Sequence, residues 1–531
     1  MSETIRTYKI WEPFLLSVVT IVGMIAGAKF VKSDALPHKS DPSISSANYS
    51  GRQVEEIIRF LETKYVGEVS GSELSEKAIK AILEGLDPHT HYFPPEQTEE
   101  LEEKTMGQYV GIGVEVLFIE DSLVILYPKK DSPAEHAGIL SGDHVIAIDG
   151  LPIVSDTMDH MKVLAMIKGS KGSHVKLLVK PLLSKTLKTV EINRDDIKVP
   201  SVLAGYMIDS TTAFIKLSRF TNTTYREFMD SWEALTTKQH AKQLILDLRD
   251  NPGGYLREAV NILSQMFNDE GKLLVYTQGK NQERIDYKST GKVFFPFENI
   301  CVLINGNSAS ASEIVAGCLQ DQDRAVILGT RSYGKGLVQE QFDLSNGGTL
   351  RMTVSKYYTP SGRLIQKAYD KESEIDTVQV FKTTSGRIVH AGGGITPDII
   401  ISDGVNWEDN SIRIWMDIIS EYSINYDLTK YGGSLVNIDS VDQIRKDLPD
   451  HTTIMRDLSV LAKLRAKENY QAIMDYYDAH KDVINRITDA TLIAYRTDEE
   501  GWYRAFNWSD PMVLKAKEIV KGDMQKSFAQ H

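Results

Sequence analysis

The middle of the chain, from about residue 199 to residue 402, alternates short apolar runs with amphipathic segments. Runs such as 244–248 (LILDL) and 301–304 (CVLI) are almost continuously apolar, as strands in a helix-covered sheet require. Helical spacing follows several of these runs, for instance from Tyr225 and from Ala311. Strands that alternate with helices in this way predict an α/β core.

Different patterns flank this core on either side. Residues 54–103 repeat apolar positions at helical spacing up to the turn-rich stretch GLDPHTHYFPPEQ, and 106–193 alternates apolar and polar residues as half-buried strands do. Beyond Gly404, helical spacing returns, with dense charge and no recognisable chemistry. We therefore predict these domains: 1–32, a signal peptide or membrane anchor; 33–105, a linker and helical segment; 106–193, a β-rich domain; 194–403, the core; and 404–531, a mainly helical region.

The N-terminus carries an uncharged, mostly apolar run at 13–28, preceded by Arg6 and Lys9. The run is shorter than the ~20 residues that span a bilayer, although Phe30 and Val31 could extend it. Ala-Gly-Ala at its end would serve as a cleavage site. A cleaved signal peptide and an uncleaved anchor both stay open. Either one predicts a location in the cell envelope, periplasmic or anchored facing the outside.

Net charge excludes one class of function, and the positions of the two cysteines indicate whether they form a disulfide. The net charge of −13 argues against a protein that tracks nucleic-acid phosphates. Cys301 falls on a predicted strand and Cys318 on the next helix. The different rise per residue of strand and helix separates them by roughly 10 Å, beyond disulfide reach, so we predict two free core cysteines.

The segment 307–321 (NSASASEIVAGCLQD) follows a buried strand and opens an apolar helix. A serine at such a junction sits on a sharp turn, where the amides of the helix N-terminus face a developing anion. Alternating serine and alanine keep the turn small enough for a peptide to approach. Taken alone, the segment is explained better by helix N-capping than by catalysis.

A lysine loop changes this balance. The segment 329–339 (GTRSYGKGLVQ) holds Lys335 between two glycines, where the backbone can bend tightly. A lysine acts as a base only when it is neutral, so burial must lower its pKa by about 2–3 units.

A third segment, 244–254 (LILDLRDNPGG), ends a strand in two glycines that can expose a backbone amide, as an oxyanion hole or an ordinary turn requires. His89 and His91 lack a third ligand, which favours a surface or packing role over a metal site.

In this order and spacing, LILDLRDNPGG, NSASASEIVAG, RSYGKGLVQ and GGGITPDI resemble the C-terminal processing peptidases, also called tail-specific proteases. The upstream GLDPHTHYF and the block YVGIGVEV, SPAEHAGI and GDHVIAIDG resemble the helical lead-in and PDZ domain of that family. The likeness covers about residues 50–403. It implies a crotonase-like (ClpP/crotonase-type) α/β core with an inserted PDZ domain.

The resemblance also implies roles for individual residues. Ser310 would be the nucleophile, Lys335 the general base and Gln339 the group that orients the lysine. The amides of Gly254 and Ala311 would form the oxyanion hole. In the PDZ domain, the tail-binding residues would be Gly111, Ile112 and Gly113 in the carboxylate loop, with Met161 and Leu164 on the helix that lines the pocket for the terminal side chain.

The predicted function is therefore a serine endopeptidase that selects protein substrates by their C-terminal tails and needs no metal or cofactor. The main alternative is an inactive PDZ scaffold. A third, an acyl-CoA enzyme on the same fold, lacks a basic loop for the nucleotide phosphate. The membrane is a partner if the N-terminal segment is uncleaved, and a homo-oligomer or an adaptor stays open.

Overall fold

The structure, a computed structural model, describes residues 51–98, 107–119, 122–153, 160–182, 184, 186–368, 379–402, 404–407, 409–431 and 441–522. The predicted signal or anchor at 1–32 lies outside these ranges, as does the linker up to residue 50. Within them, no helix combines the length and the apolar composition that a membrane crossing needs.

The chain divides into two compact units, residues 1–82 and residues 83–531. The first unit contains α1 (Gly51–Lys64) and most of α2 (Gly71–Glu84), which the helical spacing predicted. Past Glu84 the chain turns and forms strand β1 (His91–Phe93) inside the predicted connector. The sequence pattern did not predict β1, because three residues carry no periodicity and their partner strand lies far along the chain.

The β-rich domain belongs to the second unit. Its strands β3 (Val114–Ile119), β4 (Ser122–Pro128), β5 (His144–Ile148), β7 (His174–Lys180) and β8 (Lys188–Asn193) form an antiparallel sheet in that order. The short β6 (Leu151–Pro152) pairs with β5, and β2 (Gln108–Gly111) pairs with β9 (Asp195–Lys198) at the entrance and exit of the domain. Two helices, α3 (Pro133–His136) and α4 (His160–Ile167), complete it.

The core sheet has the strand order β10 (Val202–Met207), β11 (Thr212–Leu217), β12 (Gln243–Asp247), β15 (Ile300–Ile304), β16 (Val326–Gly329) and β21 (Ile399–Ile400). From β11 onward the neighbours are parallel, within the α/β core that the alternation of strands and helices predicted. The connecting helices are α5 (Thr224–Gln239), α6 (Leu256–Ser264) and α7 (Ala311–Asp321). Their apolar faces pack on the sheet, where Trp232 stacks on Phe297 at 4.3 Å.

A second sheet contacts helices α6 and α7 of this core. It contains β1, β13 (Glu270–Gln278), β14 (Ile285–Thr290), β17 (Leu337–Asp343) and β18 (Thr349–Tyr358). Strand β18 pairs with β1, β13 and β17, so it brings together segments from distant parts of the chain. A small pair, β19 (Val380–Lys382) with β20 (Ile388–His390), follows.

The C-terminal region is helical, as predicted. Its helices are α8 (Asn410–Tyr431), α9 (Val441–Asp447), α10 (His451–Ala466), α11 (Tyr470–Ala479), α12 (Lys481–Ala494), α13 (Glu499–Phe506) and α14 (Pro511–Lys521). Most of them share an apolar core of their own around Trp415, whereas α14 packs on the free face of the core sheet. Cys301 on β15 and Cys318 on α7 are free and buried, which confirms the prediction.

Candidate active site

Ser310 lies on a strained turn between strand β15 and helix α7. Its backbone angles, φ 52° and ψ −113°, are rarely adopted by residues other than glycine. A backbone strained in this way destabilises the folded state by about 1–3 kcal/mol. Its neighbours Ser308 and Ser312 are completely buried, whereas Ser310 is partly exposed. The turn therefore presents one hydroxyl of the three to a cleft.

Glu313, in the first turn of α7, joins the serine turn to the lysine loop. One oxygen, Oε2, accepts hydrogen bonds from the backbone amides of Ser310 (2.9 Å) and Lys335 (2.8 Å). The other, Oε1, accepts from the Gly334 amide (2.7 Å) and the Ser332 hydroxyl (2.5 Å). Residues 310 and 335 are thus held by a single carboxylate oxygen.

The Glu313 carboxylate is completely buried. Burial raises the pKa of this carboxyl to about 7, against the four donors, which favour the charged form. The sequence alone did not indicate this role for Glu313. The available signal was the capping-box spacing of Ser310 and Glu313, which predicts the first of its four hydrogen bonds but none of the other three.

Lys335 faces the same cleft as Ser310. Burial lowers the pKa of its ammonium group, and repulsion from Arg351 lowers it further. Its Nζ donates a hydrogen bond to Gln339 Oε1 at 2.8 Å, and not to the Ser310 hydroxyl. Apo active sites often have such loose geometry, which tightens when substrate binds.

Gln339 is held in turn by the segment around β1. Its Nε2 donates to the backbone carbonyl of His89, which fixes the amide with Oε1 toward the lysine. Asp87 shapes this segment, since its carboxylate accepts from the His89 amide (2.9 Å), the Thr90 hydroxyl (2.7 Å) and the Thr353 hydroxyl (3.2 Å) of β18. His89 thus acts through its carbonyl, a role that its side chain does not reveal in the sequence.

The predicted oxyanion residues lie beside the serine. Neither the Gly254 amide nor the Ala311 amide donates a hydrogen bond to another described residue, and Gly254 lines the cleft next to Ser310. A Cβ on the adjacent Gly253 would lie 2.8 Å from the Ala311 nitrogen, so only glycine lets this loop pack against the serine turn. The Tyr357 hydroxyl is within hydrogen-bond distance of the backbone carbonyls of both Ser310 (3.1 Å) and Lys335.

The loop that carries these glycines is anchored to the C-terminal helices. Arg249 forms ion pairs with Asp247 at 2.6 Å and with Asp510, at the start of α14, also at 2.6 Å. Lys216 completes the cluster at 3.2 Å from Asp247, and its side chain is buried as well. The C-terminal region thus supports the glycine loop from behind, a contact that the sequence did not suggest.

The predicted tail-binding residues lie together at one end of the β-rich domain. Gly111, Ile112 and Gly113 connect β2 to β3, and Gly113 has the positive φ (77°) that such a loop needs. Strand β3 pairs only with β4 among the described strands, so its other edge is open. On α4, Leu164 is half-buried and Met161 is 71% exposed, while Val163 and Ile167 enter the domain core.

A possible cation cluster occurs elsewhere in this domain. Ligand atoms of Asp131, which precedes helix α3, and of Glu135 and His136 on that helix approach within 4.8 Å of one another, and all three residues are exposed. The Glu135 carboxylate already accepts a hydrogen bond from the Asp131 amide (2.6 Å). Exposed acidic groups of this kind are common without an ion, so the cluster does not indicate a metal centre.

Comparison with known proteins adds the family. Residues 211–377, which include Ser310, Lys335 and Gln339, match the family described as "Peptidase family S41". Residues 124–181 match the description "PDZ domain".

Individual relatives agree with these matches. The chain is 34% identical over 352 residues to a carboxy-terminal-processing protease of Bartonella bacilliformis, which covers 65% of this chain and 74% of the relative. It is 30% identical over 359 residues to a probable CtpA-like serine protease of Staphylococcus epidermidis, covering 67% of this chain and 71% of the relative. A solved structure of a photosystem II D1 C-terminal processing protease aligns with a TM-score of 0.36 and 26% identity, over 66% of this chain and 87% of that one.

Proposed function

Since the chain belongs to the carboxy-terminal-processing serine proteases of peptidase family S41, we propose that Ser310 and Lys335 are its catalytic dyad and that its PDZ domain recognises substrate C-terminal tails. The observation that carries the dyad is the Glu313 carboxylate, one oxygen of which binds the amides of both residues. This bridge holds the serine turn and the lysine loop close together in the lining of one cleft of about 1260 Å³.

In the proposed reaction, neutral Lys335 accepts the proton of the Ser310 hydroxyl while the oxygen attacks the substrate carbonyl. The amides of Gly254 and Ala311 donate hydrogen bonds to the oxyanion that forms. Collapse of the tetrahedral intermediate breaks the peptide bond, and the leaving amine takes the proton from Lys335. Water, deprotonated by the same lysine, then hydrolyses the acyl-enzyme and releases Ser310.

Gln339 has a positioning role in this scheme. Its carbonyl oxygen accepts from Lys335 Nζ in the ground state, and its amide is fixed by the His89 carbonyl. Lys335 must rotate from this bond toward Ser310 when substrate binds, since the serine hydroxyl is not its present partner. The segment from Asp87 to β1 therefore supports catalysis through Gln339.

A serine-reactive phosphonofluoridate tests the dyad directly. We expect one adduct on the full-length protein, mapped by mass spectrometry to Ser310, and much slower labelling once Lys335 is changed to methionine. An inactive PDZ scaffold would remain unlabelled, and labelling at another serine would move the nucleophile elsewhere.

For the PDZ domain, we propose that a substrate tail adds as a strand to the open edge of β3. Its terminal carboxylate would accept hydrogen bonds from the loop amides at Gly111–Gly113, and its last side chain would contact Leu164, with Met161 at the rim. The open strand edge and the glycine-rich loop support this arrangement.

Amidating the C-terminus of a peptide substrate should raise KM, because charge-assisted hydrogen bonds contribute about 1.5–3 kcal/mol, or roughly 10- to 150-fold in binding. Steady-state kinetics on a matched pair of peptides, free acid and amide, measure this. Leu164→Asp should abolish the difference, whereas Leu151→Asp, at an exposed position on β6, should preserve it. Equal KM values for both peptides on the unaltered protein would exclude tail recognition.

The remaining proposals concern location and fold. We propose that residues 1–32 direct export and that the protease acts in the cell envelope, in line with the apolar run and its basic flanks. The crotonase-like description of the core likewise stays a proposal, supported by its parallel strands and covering helices.

A further inference from the structure

The walls of the catalytic cleft carry positive charge and no described carboxylate. Besides Lys335, the lining residues include Arg219, Arg257 and Arg351. The described lining contains no aspartate and no glutamate. The whole chain has the opposite balance, with 60 lysines and arginines against 73 acidic residues. The cleft is therefore lined by positive charge although the chain as a whole has a net negative charge.

The guanidinium groups of these three arginines have no ion-pair or hydrogen-bond partner among the described residues. None of them forms an ion pair or donates a hydrogen bond to another described residue, and the Nε atoms of Arg219 and Arg351 are buried without an acceptor. The neighbour of the Arg351 guanidinium is the ring of Phe93, at 4.9 Å. Burial lowers the pKa of Arg351, which reflects the cost of holding its charge there.

Several other arginines with largely buried side chains have carboxylate partners. Arg249 is paired with two carboxylates, Arg363 with Asp321 at 2.7 Å, and Arg387 with both Asp323 and Asp398. A buried charge is costly unless it is paired and hydrogen-bonded. Arg219 and Arg351, which are partly buried, have no such partner among the described residues, and they lie where a substrate would supply one.

The arginines flank the reacting groups on two sides. Arg219 directly precedes Phe220, which bridges to Gly254, and Arg257 follows the same glycine loop in the first turn of α6. Arg351 lies on β18, opposite Gln341 of β17, on the side of Lys335 and Gln339. One cationic group thus lies beside the oxyanion loop and another beside the base.

We infer that the cleft itself selects substrate segments that carry carboxylates close to the scissile bond, in addition to any selection by the PDZ domain. This inference rests on the proposed function and specifies its substrate class. The carboxylates come either from aspartate and glutamate side chains on both sides of the bond or from the substrate's own C-terminus. Arginine suits this task because its planar group binds a carboxylate through two parallel hydrogen bonds.

Quenched fluorescent peptides with one shared C-terminal tail test the inference on the full-length protein. The parent carries glutamine on both sides of the scissile bond, and its partners carry glutamate on one side, the other or both. We expect kcat/KM to rise about 10- to 100-fold with glutamate, and the gain to shrink in high salt, which screens partly exposed charges.

A charge swap assigns the effect to the cleft. Arg257→Glu should prefer a lysine peptide over the glutamate peptide, while Arg456→Glu, at an exposed position on α10, should keep the original preference. Arg257 is the choice because it is exposed and on the surface of α6, so its replacement leaves the core packing intact. Circular dichroism and Tm establish that both variants fold.

The outcomes separate the inference from the proposed function. Equal kcat/KM for glutamate and glutamine peptides, together with an amidation effect that Arg257→Glu leaves unchanged and cleavage that still requires Ser310, would overturn the inference and leave the protease mechanism intact. Cleavage that persists in Ser310→Ala would overturn the mechanism instead. Equal kcat/KM for the glutamate and glutamine peptides, with an amidation effect that Arg257→Glu removes, would support carboxylate binding in the cleft with the terminus as its source.

Discussion

Replacing Ser310 with alanine should lower kcat by at least ~10⁴-fold while the protein stays folded. The change removes only the hydroxyl, and the Ser310 amide that binds Glu313 is retained. Steady-state kinetics on a peptide substrate measure the loss, and circular dichroism with thermal melting checks the fold. A variant that retained a tenth of the activity would exclude Ser310 as the nucleophile.

The neighbouring serines supply matched controls. The Ser308 hydroxyl donates to the Leu248 carbonyl (2.8 Å) and the Ser312 hydroxyl to the Asn251 carbonyl (2.9 Å), so both hold the serine turn against the glycine loop. Their alanine variants should lose about 1–2 kcal/mol of stability and no more than ~10²-fold in activity. Equal losses of activity at all three positions would make Ser310 a structural cap.

The strained backbone at Ser310 allows a second test, which separates the effect of the residue on stability from its effect on activity. Its φ of 52° is in the region that favours glycine. Ser310→Gly should therefore be as inactive as the alanine variant but more stable, by about 1 kcal/mol. A strained residue at the reacting position would then reflect function at the expense of stability, as is common at active sites.

Short-range pattern was sufficient to predict much of the fold. The apolar runs that became β12 and β15 and the serine-rich start of α7 have local signals, and the parallel core follows from their alternation. The signals fail where a residue acts through distant parts of the chain. Glu313 looks like a capping residue because the donors at 332–335 reach it only through the fold.

The same limit explains the other misses. Strand β1 exists because His91–Phe93 pairs with residues 349–351 of β18, more than 250 positions away. On α4, spacing of three or four residues predicts a helix but leaves its rotation undetermined, so it did not reveal that Val163 and Ile167, rather than Met161, enter the core. Arg249 and Asp510 are joined across the chain in a way that no local motif encodes.

Replacing Lys335 with arginine should lower kcat by about 10²- to 10⁴-fold, the contribution of a well-placed general base. Guanidinium keeps its proton at any pH at which the protein is folded, so it preserves the positive charge and removes only the ability to accept a proton. Lys335→Met should be equally inactive. An arginine variant with normal activity would exclude the dyad.

If Lys335 is the general base, the direction in which kcat changes with pH is fixed. Activity requires neutral Lys335, so kcat should rise with pH and reach a plateau above an apparent pKa lower than the ordinary 10.5. Burial and the positive charge of Arg351 both lower this pKa. Arg351→Gln removes the repulsion, so the rising limb should shift to higher pH; a shift to lower pH would contradict the assignment.

Stability should change with pH in a way that Lys335 also explains. Because its pKa is lowered on folding, the unfolded chain binds more protons than the folded one between the lowered value and 10.5. The contribution of Lys335 to the free energy of unfolding therefore rises with pH across that window and is least favourable below it. Lys335→Met removes this contribution, so urea titrations at several pH values should show a smaller increase with pH than in the unaltered protein. Identical pH dependence in the two proteins would mean that the ammonium group is not desolvated by folding, and a lysine with an ordinary pKa would be charged at neutral pH and unable to activate Ser310.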